Sequence, residues 1–215
     1  MRALSLIATL LLAASAVAAS AAAAPLKPIQ LPKPQTEGGR PLMRVLKDRA
    51  SARAFRGDKL PPQQLANLLW AAFGINRPDG RRTAPSAMNW QELDLYVALA
   101  EGTFRYDAKA NTLLPVVAGD LRARTGKQPF VKDAALDLVY VADLTRTGKA
   151  SAEDQLVYTA ADAGFVAQNV YLFCASEGLA TVVRGAVDRP ALAKVLKLRP
   201  EQRIILAQTV GFPKK

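Results

Sequence analysis

The feature that most constrains the fold is a long helical segment that follows a continuous apolar strand. From about Ser151 to Glu177, apolar residues recur at helical spacing, and Gly178 is typical of a helix C-terminus. Before it, the run from Ala134 to Asp143 has a nearly continuous apolar centre, which predicts a strand covered by other parts of the chain. We therefore expect a sheet on which helices pack.

Shorter patterns complete an α+β domain. Two stretches, 93–99 and 103–107, predict a hairpin, and a third, 112–117, predicts a short edge segment. Hairpin, covered strands and flanking helices together predict the α+β class. The remaining predicted elements are helices over 41–47, 61–73 and 190–197 and strands over 181–183 and 203–210.

The long predicted helix carries a stripe of small residues. The stripe consists of Ala160, Ala161, Ala163 and Gly164. Small side chains allow close helix packing, which suits the core of a tight dimer. Packing within one chain explains the same periodicity equally well, so both interpretations stay open here.

The N-terminal part of the chain predicts an export signal and a tether. Residues 1–24 combine a charged start, an apolar core and an alanine-rich run, which is the pattern of a signal peptide. The apolar core is short for a membrane span, so an uncleaved anchor is the less favoured alternative. Residues 25–40 contain four prolines and no helical periodicity, which predicts an extended tether. We expect the folded domain over 41–215, without stable membrane insertion, in a periplasmic or secreted protein.

Composition excludes several classes of site. The chain has no histidine, which excludes a Ser-His-Asp triad and a histidine metal site. Cys174 is the single cysteine, and its apolar helical surroundings predict a buried structural thiol. The net charge is +11, but the basic residues are scattered and no nucleic-acid-binding motif is present. An anionic cofactor or envelope surface is therefore the expected partner, and not nucleic acid.

Two basic segments carry the chemistry. Residues 49–55, RASARAF, place two guanidinium groups and a hydroxyl beside an aromatic anchor. This combination suits a phosphate or another anion, because planar guanidinium groups bind phosphate through two hydrogen bonds. Residues 81–91, RRTAPSAMNWQ, add carboxamides at Asn89 and Gln91 that can read the edge of a heterocycle.

The two segments resemble those of the nitroreductase superfamily of FMN-dependent oxidoreductases. The pattern is most similar to the SagB/ThcOx-type dehydrogenases, through the R-T-x-P-S-A stretch at 82–87, the strand at 95–97 and the turn at 102–107. Further similarity lies at Gln168-Asn169 and in the closing Val210 to Pro213. The resemblance covers about Leu46 to Pro213 and implies a nitroreductase-like fold, with a central, mostly antiparallel sheet, flanking helices and a long dimer-core helix.

The resemblance also implies which residues hold FMN. Arg49, Ser51 and Arg53 match positions that contact the phosphate, the ribityl chain and the pyrimidine side; solvated surface arginines are the plain alternative. Near flavin N5 the family places backbone N–H groups at the positions of Arg184 and Gly185, where the side chain matters less.

Two further matches are less direct. The stretch with Pro85, Ser86, Asn89 and Gln91 matches residues that line the flavin ring, and a loop-stabilising role for Asn89 is the alternative. Lys214 follows the closing motif as a second phosphate contact, or else carries an ordinary tail charge. The resemblance identifies no catalytic acid or base.

These points predict a homodimeric FMN oxidoreductase with its flavin at the subunit interface and a small-molecule substrate. Hydride transfer at flavin N5 is the expected chemistry. An exported enzyme meets little NAD(P)H, which favours a substrate that itself gives up hydride. The short C-terminus after Pro213 and the scarcity of acid or base groups motivate an alternative, a non-catalytic envelope protein that binds flavin or another anionic ligand.

Overall fold

The computed structural model describes residues 25–214 as four helices and eight strands, with short 3-10 turns between them. The predicted α+β class is confirmed. The helices are α1 (Leu42–Asp48), α2 (Pro62–Phe73), α3 (Ala152–Glu177) and α4 (Arg189–Val195). The strands are β1 (Ile29–Gln30), β2 (Phe55–Arg56), β3 (Leu93–Ala98), β4 (Gly102–Asp107), β5 (Thr112–Ala118), β6 (Leu136–Asp143), β7 (Ala180–Arg184) and β8 (Gln202–Pro213).

All strand pairs are antiparallel, and they form one sheet in the order β1-β5-β4-β3-β6-β8-β2, with β7 also paired to β8. Every residue of β6 is buried, as its apolar run predicts. Successive side chains of a strand point to opposite faces. Leu138 and Tyr140 accordingly join the core that contains α2 and α3, whereas Val139 and Val141 join a second cluster with α4.

The long helix α3 agrees with its predicted limits and has a cap at each end. Ser151 Oγ accepts a hydrogen bond from the backbone N–H of Asp154 at 3.1 Å. At the other end Gly178 adopts φ 70°, a left-handed conformation that glycine enters without strain. Cys174 is fully buried and free, as expected of a structural thiol. Burial raises the pKa of its thiol well above the ordinary range.

The proline-rich segment over residues 25–40, predicted as an extended tether, packs against the domain. Ile29–Gln30 pairs with β5, so β5 is not the edge strand that the sequence suggested. Leu31 is 4% exposed and belongs to the main core. Asn111 Nδ2 donates to the Leu31 and Pro32 carbonyl oxygens at 3.2 and 2.9 Å. Apolar side chains between the prolines bury on the sheet, so the packed unit begins well before the predicted boundary at residue 41.

The predicted signal peptide, residues 1–24, lies outside the described residues. Among residues 25–214, the helices do not combine the length and apolar character that a membrane crossing requires.

Candidate functional site

The first basic segment runs from the end of α1 to the end of the sheet. Ala52 donates its N–H to the Thr181 carbonyl oxygen at 3.0 Å, which fixes the segment to the start of β7. Phe55 then pairs with the end of β8 in β2. Beyond β8, the Lys214 N–H donates to the Ala54 carbonyl oxygen at 3.1 Å. Two predicted cofactor contacts that are far apart in the sequence, Arg53 and Lys214, are therefore brought close together by backbone pairing.

Tyr171 of α3 lies at the centre of this segment. The Arg49 guanidinium carbon lies 5.1 Å from the centroid of the Tyr171 ring, within the range of a cation–π interaction. Ser51 Oγ lies 2.7 Å from the Tyr171 hydroxyl oxygen. The same oxygen accepts a hydrogen bond from the Val183 N–H of β7 at 3.0 Å, which leaves the Tyr171 hydroxyl hydrogen for Ser51. Tyr171 therefore connects two predicted site residues to the strand that ends at Arg184.

Three cations of this region have no hydrogen-bonding or ion-pair partner within residues 25–214. The side chains of Arg49, Arg53 and Lys214 form neither a hydrogen bond nor an ion pair there. Arg53 and Lys214 are exposed, and Arg49 is half-buried. We call Arg49, Ser51, Arg53 and Lys214 the basic cluster. Its free guanidinium and ammonium donors suit an oxyanion, and the Ser51 hydroxyl adds a neutral hydrogen-bonding group.

The Arg184 side chain is not available to a ligand. It is 4% exposed, and its Nη2 donates to Asp137 Oδ1 at 2.8 Å. Its Nε and Nη1 donate to Thr209 Oγ1 and the Thr125 carbonyl oxygen. Burial lowers the pKa of Arg184, and burial likewise raises the pKa of Asp137 to about 7 although the guanidinium opposes that shift. A cofactor contact at this position therefore falls to the backbone, as the sequence suggested.

The next residue, Gly185, is exposed, and a Cβ built on it would meet nothing within 4 Å. The backbone at the end of β7 is therefore open to an approaching flat molecule on the side where a side chain would otherwise project.

The second predicted segment, residues 85–91, forms a strained loop whose polar side chains bond mainly to one another. Met88, Asn89 and Gln91 have φ values of 51°, 55° and 46°, in the left-handed region. Gln91 Oε1 accepts from Arg82 Nε at 2.9 Å, and Gln91 Nε2 donates to Asn89 Oδ1 at 3.1 Å. These carboxamides are therefore engaged in holding the loop, and direct contact with a heterocycle stays a prediction for them.

Ser86 is engaged in the same way. Its Oγ accepts from the Gln91 N–H at 2.8 Å and donates to Glu92 Oε2 at 3.2 Å. Pro85, in contrast, is exposed beside these groups. The loop borders an open cleft of about 230 Å³. The cleft is lined by Arg77, Arg81, Arg82, Ala84, Pro85, Ser86, Asn89 and Gln91.

Two carboxyl groups that the sequence did not single out fix this loop to α3. Asp162 Oδ2 accepts the Ala87 N–H at 2.9 Å. Asp162 is 2% exposed, and Glu92, which directly precedes β3, is fully buried. Burial raises the pKa of both carboxyl groups, that of Glu92 to about 7. Neither residue belongs to a recognisable motif. The sequence signals that could have indicated them are the position of Glu92 directly before an apolar strand and that of Asp162 on the apolar face of a helix.

The basic cluster and the 85–91 loop contact the same helix at different heights. Asp162 and Tyr171 are about 13 Å apart along the axis of α3, at the usual rise of 1.5 Å per residue. One chain therefore carries two halves of a predicted site, spread along its longest helix.

The Tyr171 hydroxyl can be tested without any ligand. Replacing Tyr171 by Phe should lower the free energy of unfolding by about 1–3 kcal/mol, because the Val183 N–H loses its acceptor. Urea denaturation followed by circular dichroism measures the change. The matched control is Tyr158→Phe, since Tyr158 is 41% exposed on the same helix and its hydroxyl makes no hydrogen bond within residues 25–214. Equal stability of the two variants would contradict the assigned role.

Comparison with known proteins agrees with this architecture. The sequence model of the Nitroreductase family matches residues 46–212. A nitroreductase homologue from Methanocaldococcus jannaschii is 30% identical over 165 residues, which span 72% of this chain and 83% of the relative.

Solved structures show the same relationship. A nitroreductase homologue from Ralstonia eutropha superposes with a TM-score of 0.84 at 44% identity, over 87% of this chain and 90% of the other. The NADPH:FMN oxidoreductase of Vibrio harveyi, at 19% identity and a TM-score of 0.61 over 81% of this chain and 69% of the other, shares the fold. The family match, the homologues and the common fold together show that this chain belongs to the nitroreductase family of oxidoreductases.

Proposed function

We propose that the protein is an FMN-dependent oxidoreductase that exchanges hydride with a small organic substrate. The observation that carries the proposal is the basic cluster beside the open end of β7. Arg49, Arg53 and Lys214 offer donors without protein partners within residues 25–214, next to a hydroxyl that Tyr171 holds in place. Membership of the nitroreductase family makes FMN the anionic ligand to test first.

The residues of the cluster fit the groups of FMN by their chemistry. Arg49 and Lys214 suit the phosphate, since cations without acidic partners can approach its oxygens. Ser51 suits a hydroxyl of the ribityl chain, and Arg53 suits the pyrimidine side, where a cation stabilises the negative charge of a reduced flavin. The open backbone at Gly185 suits the flat ring, which supplies the hydride chemistry when it is bound.

Homodimerisation is the second part of the proposal. Within residues 25–214, the large apolar side chains that are exposed all lie on α1, on the 85–91 loop and on α3. Exposed large apolar side chains often mark protein–protein interaction sites, so a second copy of the chain is the expected partner for these elements. The exposed residues are Leu42, Met43, Leu46, Met88, Leu156, Val157, Tyr158 and Phe165.

The electron donor follows from the proposed location. If the predicted signal at residues 1–24 directs export, NAD(P)H is scarce where the enzyme works. The resemblance to the SagB/ThcOx-type dehydrogenases then favours a substrate that itself donates hydride, with oxygen or a quinone-type compound as acceptor. Cell fractionation tests this step, and a cytoplasmic protein would restore NAD(P)H as the default donor.

The visible absorption spectrum of the purified protein tests the cofactor. After incubation with FMN and gel filtration, we expect a flavin spectrum that co-elutes with a dimer. Bleaching of the spectrum on anaerobic addition of a hydride donor, and its return with an acceptor, would establish turnover. Bound flavin that no donor reduces would favour the non-catalytic ligand-binding alternative. A colourless protein that cannot be loaded would refute the cofactor assignment.

A further inference from the structure

Glu92 and Asp162 form a buried carboxyl pair with no basic partner within residues 25–214. Glu92 is fully buried and Asp162 is 2% exposed. Neither forms an ion pair with a lysine or an arginine there. Two neighbouring carboxylates cannot both be charged in such a site without strong repulsion and a large desolvation cost. One proton between them removes the repulsion and leaves only one buried charge to be stabilised.

The hydrogen bonds leave a place for that proton. Glu92 Oε2 accepts from Ser86 Oγ at 3.2 Å, whereas Glu92 Oε1 is buried and meets no donor within residues 25–214. Asp162 Oδ2 accepts the Ala87 N–H at 2.9 Å, as expected of a carboxylate. Ser86 and Ala87 are consecutive residues, and one bonds to Glu92 and the other to Asp162, so both carboxyl groups lie against the same short stretch of the loop. A protonated Glu92 that donates to an ionised Asp162 would satisfy both groups.

The 85–91 loop depends on such an anchor. Residues other than glycine in the left-handed region cost roughly 1 kcal/mol or more each, and the loop contains Met88, Asn89 and Gln91 in that region. Met88 is 82% exposed, so the centre of the loop gains little from burial. The bonds of Ser86 and Ala87 to the carboxyl pair are therefore a main attachment of the loop to the domain.

We propose that Glu92 and Asp162 share one proton and act as positioning residues that hold the 85–91 loop against α3. Loss of the proton places two negative charges at the base of the loop and weakens the attachment. The consequence for FMN affinity rests on the proposed function, because only the family resemblance places this loop beside the flavin.

The sign of the pH dependence follows from the environment of the pair. Burial raises the pKa of Glu92 to about 7, so the stabilising proton is present below that pH and is lost as the pH rises through it. The charged groups that face the loop from neighbouring elements bind partners other than the two carboxyl groups. Arg146 binds the Gln91 carbonyl oxygen and Asp94, and Arg82 binds the Gln91 side chain and the Phe73 carbonyl oxygen.

A measurement without flavin tests the pair itself. Trp90 lies in the loop and packs edge-on against Tyr158 of α3, with ring centroids 5.8 Å apart. In a Trp70→Phe background, Trp90 is the remaining tryptophan of the chain. Its emission should change with a midpoint near pH 7 in the otherwise unaltered protein. Glu92→Gln removes the carboxyl group that titrates and keeps a hydrogen bond to Asp162, so its emission should stay constant from pH 6 to 8. Asp162→Asn leaves Glu92 as a single buried carboxyl group without the repulsion of a charged partner, so its midpoint should lie at a lower pH than in the otherwise unaltered protein.

The dissociation constant of FMN, measured over the same pH range, tests the consequence. We expect affinity to weaken by up to about tenfold for each pH unit above 7 in the parent protein. This dependence should disappear in Glu92→Gln, with affinity at pH 6 retained, and should begin at a lower pH in Asp162→Asn. The phosphate of FMN titrates equally in all of these proteins, so the difference between them isolates the pair.

The outcomes separate the two proposals. Titration of Trp90 that Glu92→Gln abolishes and Asp162→Asn moves to a lower pH supports the pair even if FMN fails to bind, in which case the proposed function alone is refuted. Trp90 emission that is constant in the parent protein, or that titrates unchanged in the variants, overturns the inference. The two variants alter opposite partners, so a folding failure of one, detected by its melting temperature, leaves the other to decide.

Discussion

Replacing Arg184 by alanine is expected to lower the free energy of unfolding by about 3–5 kcal/mol. The substitution leaves Asp137, which is fully buried, without the guanidinium that lies 2.8 Å from its Oδ1. Thr209 and Thr125 also lose hydrogen-bond donors. Since a domain of this size is stabilised by only about 5–15 kcal/mol, the variant should be severely weakened, as urea denaturation would show directly.

The matched control removes both charges together. Arg184→Met combined with Asp137→Leu replaces the pair by apolar side chains, and such replacements are often neutral or even stabilising. We therefore expect the double variant to be more stable than Arg184→Ala alone. If the two proteins were equally unstable, the loss would come from packing around the Arg184 stem, and the ion pair would not be its cause. Lys59→Ala, at an exposed ion pair with Glu101, should cost about 1 kcal/mol or less.

The elements of the fold were predictable where one local signal dominates. The continuous apolar run of β6 predicted a strand close to the observed one. The long stretch of helical periodicity in α3, which ends at Gly178, likewise predicted boundaries close to those observed. The N-terminal segment was harder to interpret, because its prolines indicate an extended chain but not what that chain touches. Pairing of Ile29–Gln30 with β5 depends on residues more than 80 positions away, so composition could not reveal it.

The site shows the same division between local and distant information. The R-x-S-x-R segment is contiguous, so its cations could be recognised together. Lys214 was predicted separately, and the structure places its backbone beside Ala54. The role of Arg184 could not be inferred, because its partner Asp137 lies in another strand. The carboxyl pair could not be predicted for a similar reason, because Glu92 and Asp162 come together only when α3 packs on the sheet.

The basic cluster makes the strongest prediction for function. A double change of Arg49 and Arg53 to alanine should weaken FMN binding by roughly 100-fold or more. Each hydrogen bond to a charged group contributes about 1.5–3 kcal/mol, and 1.4 kcal/mol is a factor of ten in affinity. The fold should persist, because neither side chain forms an ion pair or hydrogen bond within residues 25–214. Quenching of FMN fluorescence on titration with protein measures the affinity.

A control must separate local contacts from the general attraction of a basic protein for an anion. Lys109→Ala combined with Arg124→Ala also removes two positive charges, but from exposed positions outside the cluster. If charge alone drove binding, both double variants would lose affinity equally, and the loss would shrink as salt screens the interaction. If the cluster holds the flavin, the control should keep its affinity while the Arg49 and Arg53 variant does not. Full affinity in the latter would refute the site, whatever the activity of the protein.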